Sequence, residues 1–321
     1  MRKYWGILVL IVWAGQTTAQ VNTEAVNAFA REVSEKNGLG LSEVKGILDK
    51  ATYQPEIIGK MNRPAEGMPW HKYRNIFMKQ DRIDAGVEFR KTHQRELSAI
   101  SLETGVSEEI ILGILGVETY FGQRKGTYKV LDALYTLAFA YPKRARFFKS
   151  ELEHFLLLVD EENLVVDEVL GSYAGAIGYC QFMPSSYRAY AKSYEAGGTR
   201  DLVNSAEDAM ASVANYLKVH KWKEGQKVAC LANQTSGAQE LKKQSLKPKN
   251  TVSYYTKLGY RPDENISPSS ISTLIQLEQI DNKEYWFGFN NFYVITRYNH
   301  SELYAMAVFQ LATAIAEQAE N

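Results

Sequence analysis

The spacing of apolar residues changes period along the chain, and each change marks a predicted element. From Thr23 to about Lys60, Val26, Phe29, Ala30 and Val33 fall on one helical face and Leu48 follows Val44 by four, the pattern of scaffold helices. The stretch M-N-R-P-A-E-G-M-P-W from Met61 to Trp70 breaks that period with two prolines and a glycine and marks a boundary. Helical periodicity returns from Arg82 to about Tyr141. Within it, S-E-E-I-I-L-G-I-L-G-V-E-T-Y-F-G predicts a helix that starts at Ser107 as N-cap and stops at Gly122. Glu108 and Glu109 lie in its first turn, where the helix dipole favours negative charge. Gly113 and Gly116 each weaken a helix by about 1 kcal/mol relative to Ala, so a neighbour is expected to pack closely there.

Further on, G-S-Y-A-G-A-I-G-Y-C-Q-F-M-P-S-S-Y (Gly171–Tyr187) places three glycines within eight residues, predicting a tightly folded loop before P-S-S opens another helix. From Lys223 to Ile295 the β-prone pieces V-A-C-L, T-V-S-Y-Y and F-Y-V-I-T alternate with Gly, Asn, Pro and Lys, predicting a small β-containing insert. The segment S-E-L-Y-A-M-A-V-F-Q-L-A-T-A-I-A is helical again. The fold class is therefore mainly α (α+β). The expected divisions are a leader over 1–19, an N-terminal helical region over 20–70 packing with a C-terminal helix over 300–321, a core over 71–222 and the insert over 223–295.

Composition narrows the functional classes. The 321 residues are 45% hydrophobic, enough for a substantial core. Lys plus Arg and Asp plus Glu both number 37, so no overall basic field exists to attract nucleic acid. Met1 to Gln20 carries two cations, an eleven-residue apolar run from Tyr4 to Ala14 and a small-residue T-T-A, the pattern of a secretory signal cut after Ala19. That run is too short to span a bilayer. No cysteine adjoins the cut for lipid attachment, so a soluble, exported, periplasmic chain without a transmembrane segment is expected. Cys180 and Cys230 allow one disulfide or two separate buried thiols.

Motifs for other chemistries are missing. The five histidines (His71, His93, His154, His220, His300) have no metal-binding spacing. There is no phosphate-binding G-x-x-x-x-G-K-[ST] and no G-x-S-x-G nucleophile elbow. No metal and no cofactor is expected.

Attention then falls on Glu118. Leu115, Ile114 and Ile111 lie three, four and seven residues before it, so the carboxyl shares their helical face. Two readings fit that position. Either an arginine or backbone donors pair with it inside the fold, or burial keeps it protonated, as a general acid requires. An ordinary glycosidase needs a second carboxylate roughly 5 to 9.5 Å away. Asp132, Glu151 and Glu153 sit in helical contexts that suit bonds to helix ends and solvation of an outer face instead. A one-acid mechanism remains chemically sound when the substrate supplies its own nucleophile.

V-E-T-Y-F-G, L-D-A-L-Y-T-L-A-F-A-Y-P-K-R-A-R-F-F, the glycine-rich segment, V-A-N-Y-L-K-V-H, N-F-Y-V-I-T-R-Y-N-H-S and Y-A-M-A-V-F-Q-L, in that order, closely resemble the membrane-bound lytic murein transglycosylase B family. The resemblance implies a lysozyme-like helical core. It also implies an enzyme that cleaves peptidoglycan between N-acetylmuramic acid and N-acetylglucosamine without water, leaving a 1,6-anhydromuramoyl end. On that resemblance Glu118 is the sole acid and then base. Ser172, Gln181, Tyr216, Tyr298, Asn299 and Tyr304 match cleft residues that bind substrate, and Tyr73 and Arg144 match sugar- or peptide-contacting positions.

Departures from the family pattern are also visible. Lys143 replaces one of two arginines, Phe147 stands where tyrosine is common, and Cys180 stands where glycine is common. Some relatives carry a calcium loop after P-S-S-Y, but S-Y-E-A-G-G-T-R-D-L puts Gly197 and Thr199 where oxygen donors are needed, so calcium is not expected. The expected partner is the peptidoglycan glycan strand, bound by a monomer. A hydrolytic muramidase and a catalytically silent wall-binding scaffold are the alternatives.

Overall fold

The computed structural model describes residues 21–62 and 67–320, so the expected leader over Met1–Ala19 lies outside the described residues. Three helices open the chain: α1 (Thr23–Asn37), α2 (Leu41–Leu48) and α3 (Pro55–Met61). The Asn22 side chain caps α1 by accepting from the N–H groups of Glu24 and Ala25, and Phe29, Ala30 and Val33 are buried as their spacing predicts. The helices α4 (Trp70–Phe77), α5 (Gln80–Thr92), α6 (Gln94–Thr104) and α7 (Glu108–Thr119) follow. A short ladder of β1 (Tyr128–Lys129) with β2 (Leu170–Gly171) then frames α8 (Val130–Ala140), a 3-10 turn at Pro142–Arg144 and α9 (Ala145–Glu161). After the glycine-rich loop come α10 (Pro184–Tyr190), with proline in its first turn, and α11 (Ala206–Val219).

The insert is an antiparallel sheet of β3 (Ala229–Gln234), β4 (Asn250–Thr251), β5 (Tyr260–Pro262), β6 (Ile271–Glu278) and β7 (Lys283–Gly288), in the order β4-β6-β7-β3-β5. One face packs Leu274 and Phe287 with Cys230, Tyr255 and Tyr260 in a small core of its own. The other sends Ile275 and Leu277 into the main helical core, so the period-2 alternation of β6 ties the two together. The short helix α12 (Val252–Lys257) precedes β5, and the chain returns through α13 (Asn290–Tyr298) and α14 (Glu302–Glu320).

Among the described residues α4 packs on α14. The helices before it lie on α8 and α9, where Phe29 meets Phe139 at 5.7 Å and Lys36 pairs with Glu153 at 2.9 Å. Two expectations need correction. The β-prone F-Y-V-I-T is helical within α13, and V-S-Y-Y opens α12. In α13 the helical spacing buries Phe292, Val294, Ile295 and Thr296, and that packing outweighs intrinsic strand preference. Finally, α7 is buried all round rather than along one stripe, with Ile110, Leu112 and Val117 enclosed as well as Ile111, Ile114 and Leu115.

The reason for that enclosure is α14, which lies directly along α7. A Cβ at Gly113 would stand 2.6 Å from the Val308 carbonyl oxygen, and one at Gly116 would stand 2.8 Å from Leu311 Cδ2. The α14 backbone touches α7 at Gly113, and at Gly116 the side chains of Leu311 and Phe121 close in. Gly113→Ala gains about 1 kcal/mol of helix propensity but drives a methyl into a backbone oxygen, so a net loss of about 1–3 kcal/mol is expected by urea denaturation. An unchanged or higher midpoint would contradict this contact.

Candidate active site

Glu118 occupies the last turn of α7, and the way that helix ends fixes its position. Tyr120 and Phe121 both adopt left-handed backbone, with φ of 53° and 55°, ahead of Gly122 at 85°. The Tyr120 N–H bonds the Gly116 carbonyl at 3.2 Å and that of Phe121 reaches Leu115 at 3.1 Å, so the last carbonyls are satisfied. The helix thus stops earlier than Gly122. Two non-glycine residues in this region store about 1 kcal/mol or more each, and such strain persists only where surroundings enforce it.

Two groups do the enforcing. Thr119 Oγ1 donates to the Tyr179 carbonyl at 3.0 Å and accepts from Gly122 N at 3.0 Å, stitching the helix end to the glycine-rich loop. Arg82, buried, donates from Nη1 to the Gly116 carbonyl at 3.2 Å and lies 4.9 Å over the Tyr120 ring and 5.2 Å over Phe77. Burial, and then the charge of Arg124, lower its pKa. Arg82 and Thr119 are absent from the residues the sequence singles out. Arg82 is a cation on a mixed helix with no local signal of burial, and Thr119 is an ordinary helix residue until its loop partner is known.

An aromatic wall faces this end of α7. Tyr304, in the first turn of α14, donates its hydroxyl to Glu118 Oε1 at 2.6 Å. Its ring stacks on Tyr298 at 6.3 Å, and Tyr298 packs with Tyr216 at 4.9 Å and Phe182 at 5.5 Å. Burial, and then the charge of Glu118, hold the Tyr304 phenol well above its ordinary pKa, so it stays a donor at physiological pH. The other two hydroxyls serve the framework: Tyr298 donates to the Cys180 carbonyl at 2.7 Å and Tyr216 to the Arg297 carbonyl at 2.5 Å. Glu118 itself is half-buried, at the edge of the core rather than sealed inside it.

The glycine-rich loop supplies the neighbouring positions. It folds back on itself through bridges of Ile177 with Gly171 and with Phe182. Ser172 Oγ accepts from the N–H groups of Ala174 at 3.3 Å and Ala176 at 3.1 Å. Gln181, at φ 49°, uses its Nε2 to bind the Lys125 and Gly178 carbonyls at 3.0 and 2.9 Å, leaving Oε1 as the atom that can accept from a ligand. Tyr73 is buried between Trp70 and Phe77, within electrostatic reach of Tyr304. Asn299 is half-buried in the turn before α14 and lines a cavity of about 880 Å³ that also reaches Leu303, the neighbour of Tyr304. Arg144 stands apart, exposed and folded over Phe147 at 4.3 Å.

The fully buried acids elsewhere are engaged. Asp132 accepts from Thr52 N at 2.8 Å and from the Gln54 side chain. Glu151 accepts from Ser185 N at 2.9 Å and Ser185 Oγ at 2.7 Å, capping α10. Asp208 accepts from Tyr194 N and Asp201 N, each at 2.8 Å. A half-buried carboxyl at the end of a helix, bonded by a phenol that stacks in a wall of aromatic rings, is an arrangement suited to acid-base chemistry on a saccharide.

Comparison with known proteins agrees with that class. The Transglycosylase SLT domain profile matches residues 22–313, and the chain belongs to this family. It is similar to the membrane-bound lytic murein transglycosylase B of Escherichia coli, at 38% identity over 306 residues, covering 92% of this chain and 83% of that protein. Lytic transglycosylase SltB1 of Pseudomonas aeruginosa superposes with a TM-score of 0.87 at 39% identity, covering 93% of this chain and 99% of that one. The Escherichia coli transglycosylase SLT35 bound to bulgecin A superposes at 0.84 with 38% identity, covering 92% and 93%. The helical core is therefore lysozyme-like, as its resemblance implied.

SLT35 is also known in complex with calcium, at 37% identity, a TM-score of 0.84 and coverage of 92% and 94%. The loop after α10 in this chain does not fit such an ion. Asp201 Oδ1 accepts from Val203 N and Asn204 N at 2.9 Å each, Asp208 is engaged as described, and the Arg200 guanidinium bonds Glu162. A hard divalent cation needs six to eight oxygens, and this loop offers glycines and a cation between its acids.

The two cysteines are separate free thiols, both buried. Cys180 packs in the wall, with Sγ 3.3 Å from the Ala209 carbonyl, and burial pushes its pKa well above the thiol range. Burial pushes Cys230 from 9.0 up to about 12. Each folded-state pKa lies above its unfolded value, so this contribution to stability is complete below pH 9 and is lost as pH rises toward 12. A thiol reagent at pH 8 is expected to label neither cysteine in the folded protein and both in guanidinium, and rapid native labelling would contradict the burial.

Proposed function

We propose that the chain is a peptidoglycan lytic transglycosylase that cleaves the β-1,4 bond between N-acetylmuramic acid and N-acetylglucosamine and leaves a 1,6-anhydromuramoyl end. The observation that carries this reading is the pairing of a half-buried Glu118 with Tyr304 while the fully buried acids elsewhere serve the framework. Glu118 begins protonated. Because Tyr304 donates to Oε1, the carboxyl carries its transferable proton on Oε2. That proton passes to the glycosidic oxygen as the bond to C1 breaks, and the muramoyl 2-acetamido oxygen bonds C1. The Glu118 carboxylate then takes the proton of the C6 hydroxyl, O6 bonds C1, and the acetamido group is released. Glu118 ends protonated and no water is consumed.

The remaining residues position the sugars. Ser172, Gln181 and Asn299 meet the N-acetyl groups. Tyr216 and Tyr298 form a rigid wall whose own hydroxyls are held by backbone carbonyls, and Tyr73 lies buried against Trp70 and Phe77, within electrostatic reach of Tyr304. Arg144 meets the peptide-bearing periphery rather than the reacting bond. The N-terminal leader directs export to the periplasm. No helix among the described residues is long and apolar enough to cross a membrane.

Mass analysis of digested sacculi tests the reading. Anhydro-ended products are expected, and products heavier by about 18 Da, one water, would make the enzyme a hydrolase. Glu118→Gln is expected to reduce lysis by about 100- to 10,000-fold, the range of general acid-base catalysis. Tyr304→Phe, which removes a bond to the carboxylate that forms as Glu118 gives up its proton, is expected to lower kcat by about 10- to 100-fold with little change in KM. Lysis by Glu118→Gln at the wild-type rate would reject the assignment.

A further inference from the structure

The loop between α10 and α11 is pinned from two sides, and one of the pins is an ion pair. Arg200, in its second half, donates from Nε to Glu162 Oε1 at 2.7 Å, and its Nη2 pairs with the same oxygen. Its backbone N–H points to Glu162 Oε2 at 3.4 Å, and its Nη1 donates to the Arg188 carbonyl at 3.3 Å. Glu162 follows the last residue of α9, and its side chain is only 8% exposed. On the other side Asp208, in the first turn of α11, accepts from the Asp201 N–H at 2.8 Å. A carboxylate so enclosed depends on its partner, and without Arg200 it must take a proton or swing out.

The residues beside Arg200 carry that hold to the reacting end of α7. Tyr187, buried in α10, donates its hydroxyl to the Arg200 carbonyl and accepts from the Leu202 N–H at 3.1 Å. The Leu202 carbonyl accepts from the Tyr179 N–H at 2.9 Å, and the Tyr179 carbonyl accepts from Oγ1 of Thr119, the residue after Glu118. A Cβ at Gly178 would collide with that same Leu202 carbonyl, so the two loops meet backbone to backbone. Lys125 adds a second tie, donating from Nζ to the Val203 carbonyl at 2.6 Å while its own carbonyl holds Gln181 Nε2. An unbroken line of contacts therefore runs from the end of α9 to the end of α7.

Arg188 lies alongside but turns outward. Its guanidinium bonds the exposed Glu161 and the His154 ring, each at 2.6 Å, and Glu161 stands 4.0 Å from Arg200. Neither side chain reaches the glycine-rich loop through a bond of its own.

We propose that Arg200 is a positioning residue for the reaction: paired with Glu162, it clamps the loop after α10 against the glycine-rich loop and so sets where Glu118 and Gln181 stand. The kinetic part of this inference rests on the function proposed above, whereas the clamp itself has a readout that needs no substrate. That readout is Cys180, fully buried in the clamped loop between Tyr179 and Gln181. Cys230 lies in the separate core of the sheet and reports on unfolding elsewhere.

The test compares wild type with Arg200→Gln, Glu162→Gln, their double variant and Arg188→Gln. Each is labelled natively with a thiol reagent at pH 8, both cysteines being followed by peptide mass mapping, and each is assayed on sacculi. Arg200→Gln should speed the labelling of Cys180 about tenfold or more while Cys230 stays protected. Its kcat should fall about 10- to 100-fold, as a small misplacement of reacting groups does, and by more than KM rises. Glu162→Gln keeps an accepting oxygen and should show a smaller change of the same kind. The double variant should lose no more than Arg200→Gln alone, because the two residues act through one contact. Arg188→Gln should match wild type in both measurements.

Unchanged Cys180 labelling, equal exposure of both cysteines, a normal kcat in Arg200→Gln or an equal effect of Arg188→Gln would each overturn the proposal. Should Arg200→Gln not fold, Glu162→Gln decides by the same two measurements. Failure of wild type to release anhydro products would instead reject the transglycosylase reading, and the labelling would still test the clamp.

Discussion

The contact of α7 with α14 at Gly113 and Gly116 is the constraint on which the site depends. Without a side chain at Gly113 the α14 backbone comes within reach of α7, Gly116 makes room for Leu311, and Tyr304 is delivered to Glu118 at 2.6 Å. Each glycine weakens α7 as a helix, and burial of the helix on every side offsets that cost. A bulkier seam would push the two helices apart, and the acid and phenol with them. The same approach explains how so apolar a helix carries carboxylates: its two ends leave the interface, with Glu108 and Glu109 half-buried at one and Glu118 at the other.

The wall opposite is built on a second constraint, the use of hydroxyl groups as framework. Tyr298 and Tyr216 direct their oxygens at backbone carbonyls of Cys180 and Arg297, so their rings are held in place before any ligand arrives. Gln181 likewise turns its amide nitrogen to two loop carbonyls. Rigid supports of this kind position a bound sugar at little entropic cost on binding. Tyr304 is the member of the wall whose hydroxyl meets the acid instead.

Much of this was legible in residue order, and what was not has identifiable causes. Helix α1 and its buried Phe29, Ala30 and Val33 follow from spacing alone, as does the proline-led start of α10. Glu118 could be found because a charged residue stood among apolar ones at helical intervals. The enclosure of α7 could not, because a helix apolar on all sides has no stripe to read, and its partner lies about 190 residues away in sequence. F-Y-V-I-T read as strand because its residues favour strands locally, while the packing of α13 against α14 decides otherwise. Arg82 and the left-handed Tyr120–Phe121 pair carry no local mark, since their roles exist only once Gly116 and the loop at Tyr179 are in place.

The pairing of Glu118 with Tyr304 also sets the order in which the molecule becomes competent. The two residues are separated by 186 positions. During synthesis, which proceeds from the N-terminus, the acid, the glycine-rich loop and the sheet all exist before the phenol does. Until α14 is made and seated, α7 lacks its main packing partner and Glu118 lacks the Tyr304 hydroxyl. A growing chain therefore holds every other part of a wall-cutting site without an assembled one, and activity arrives with the last helix to dock.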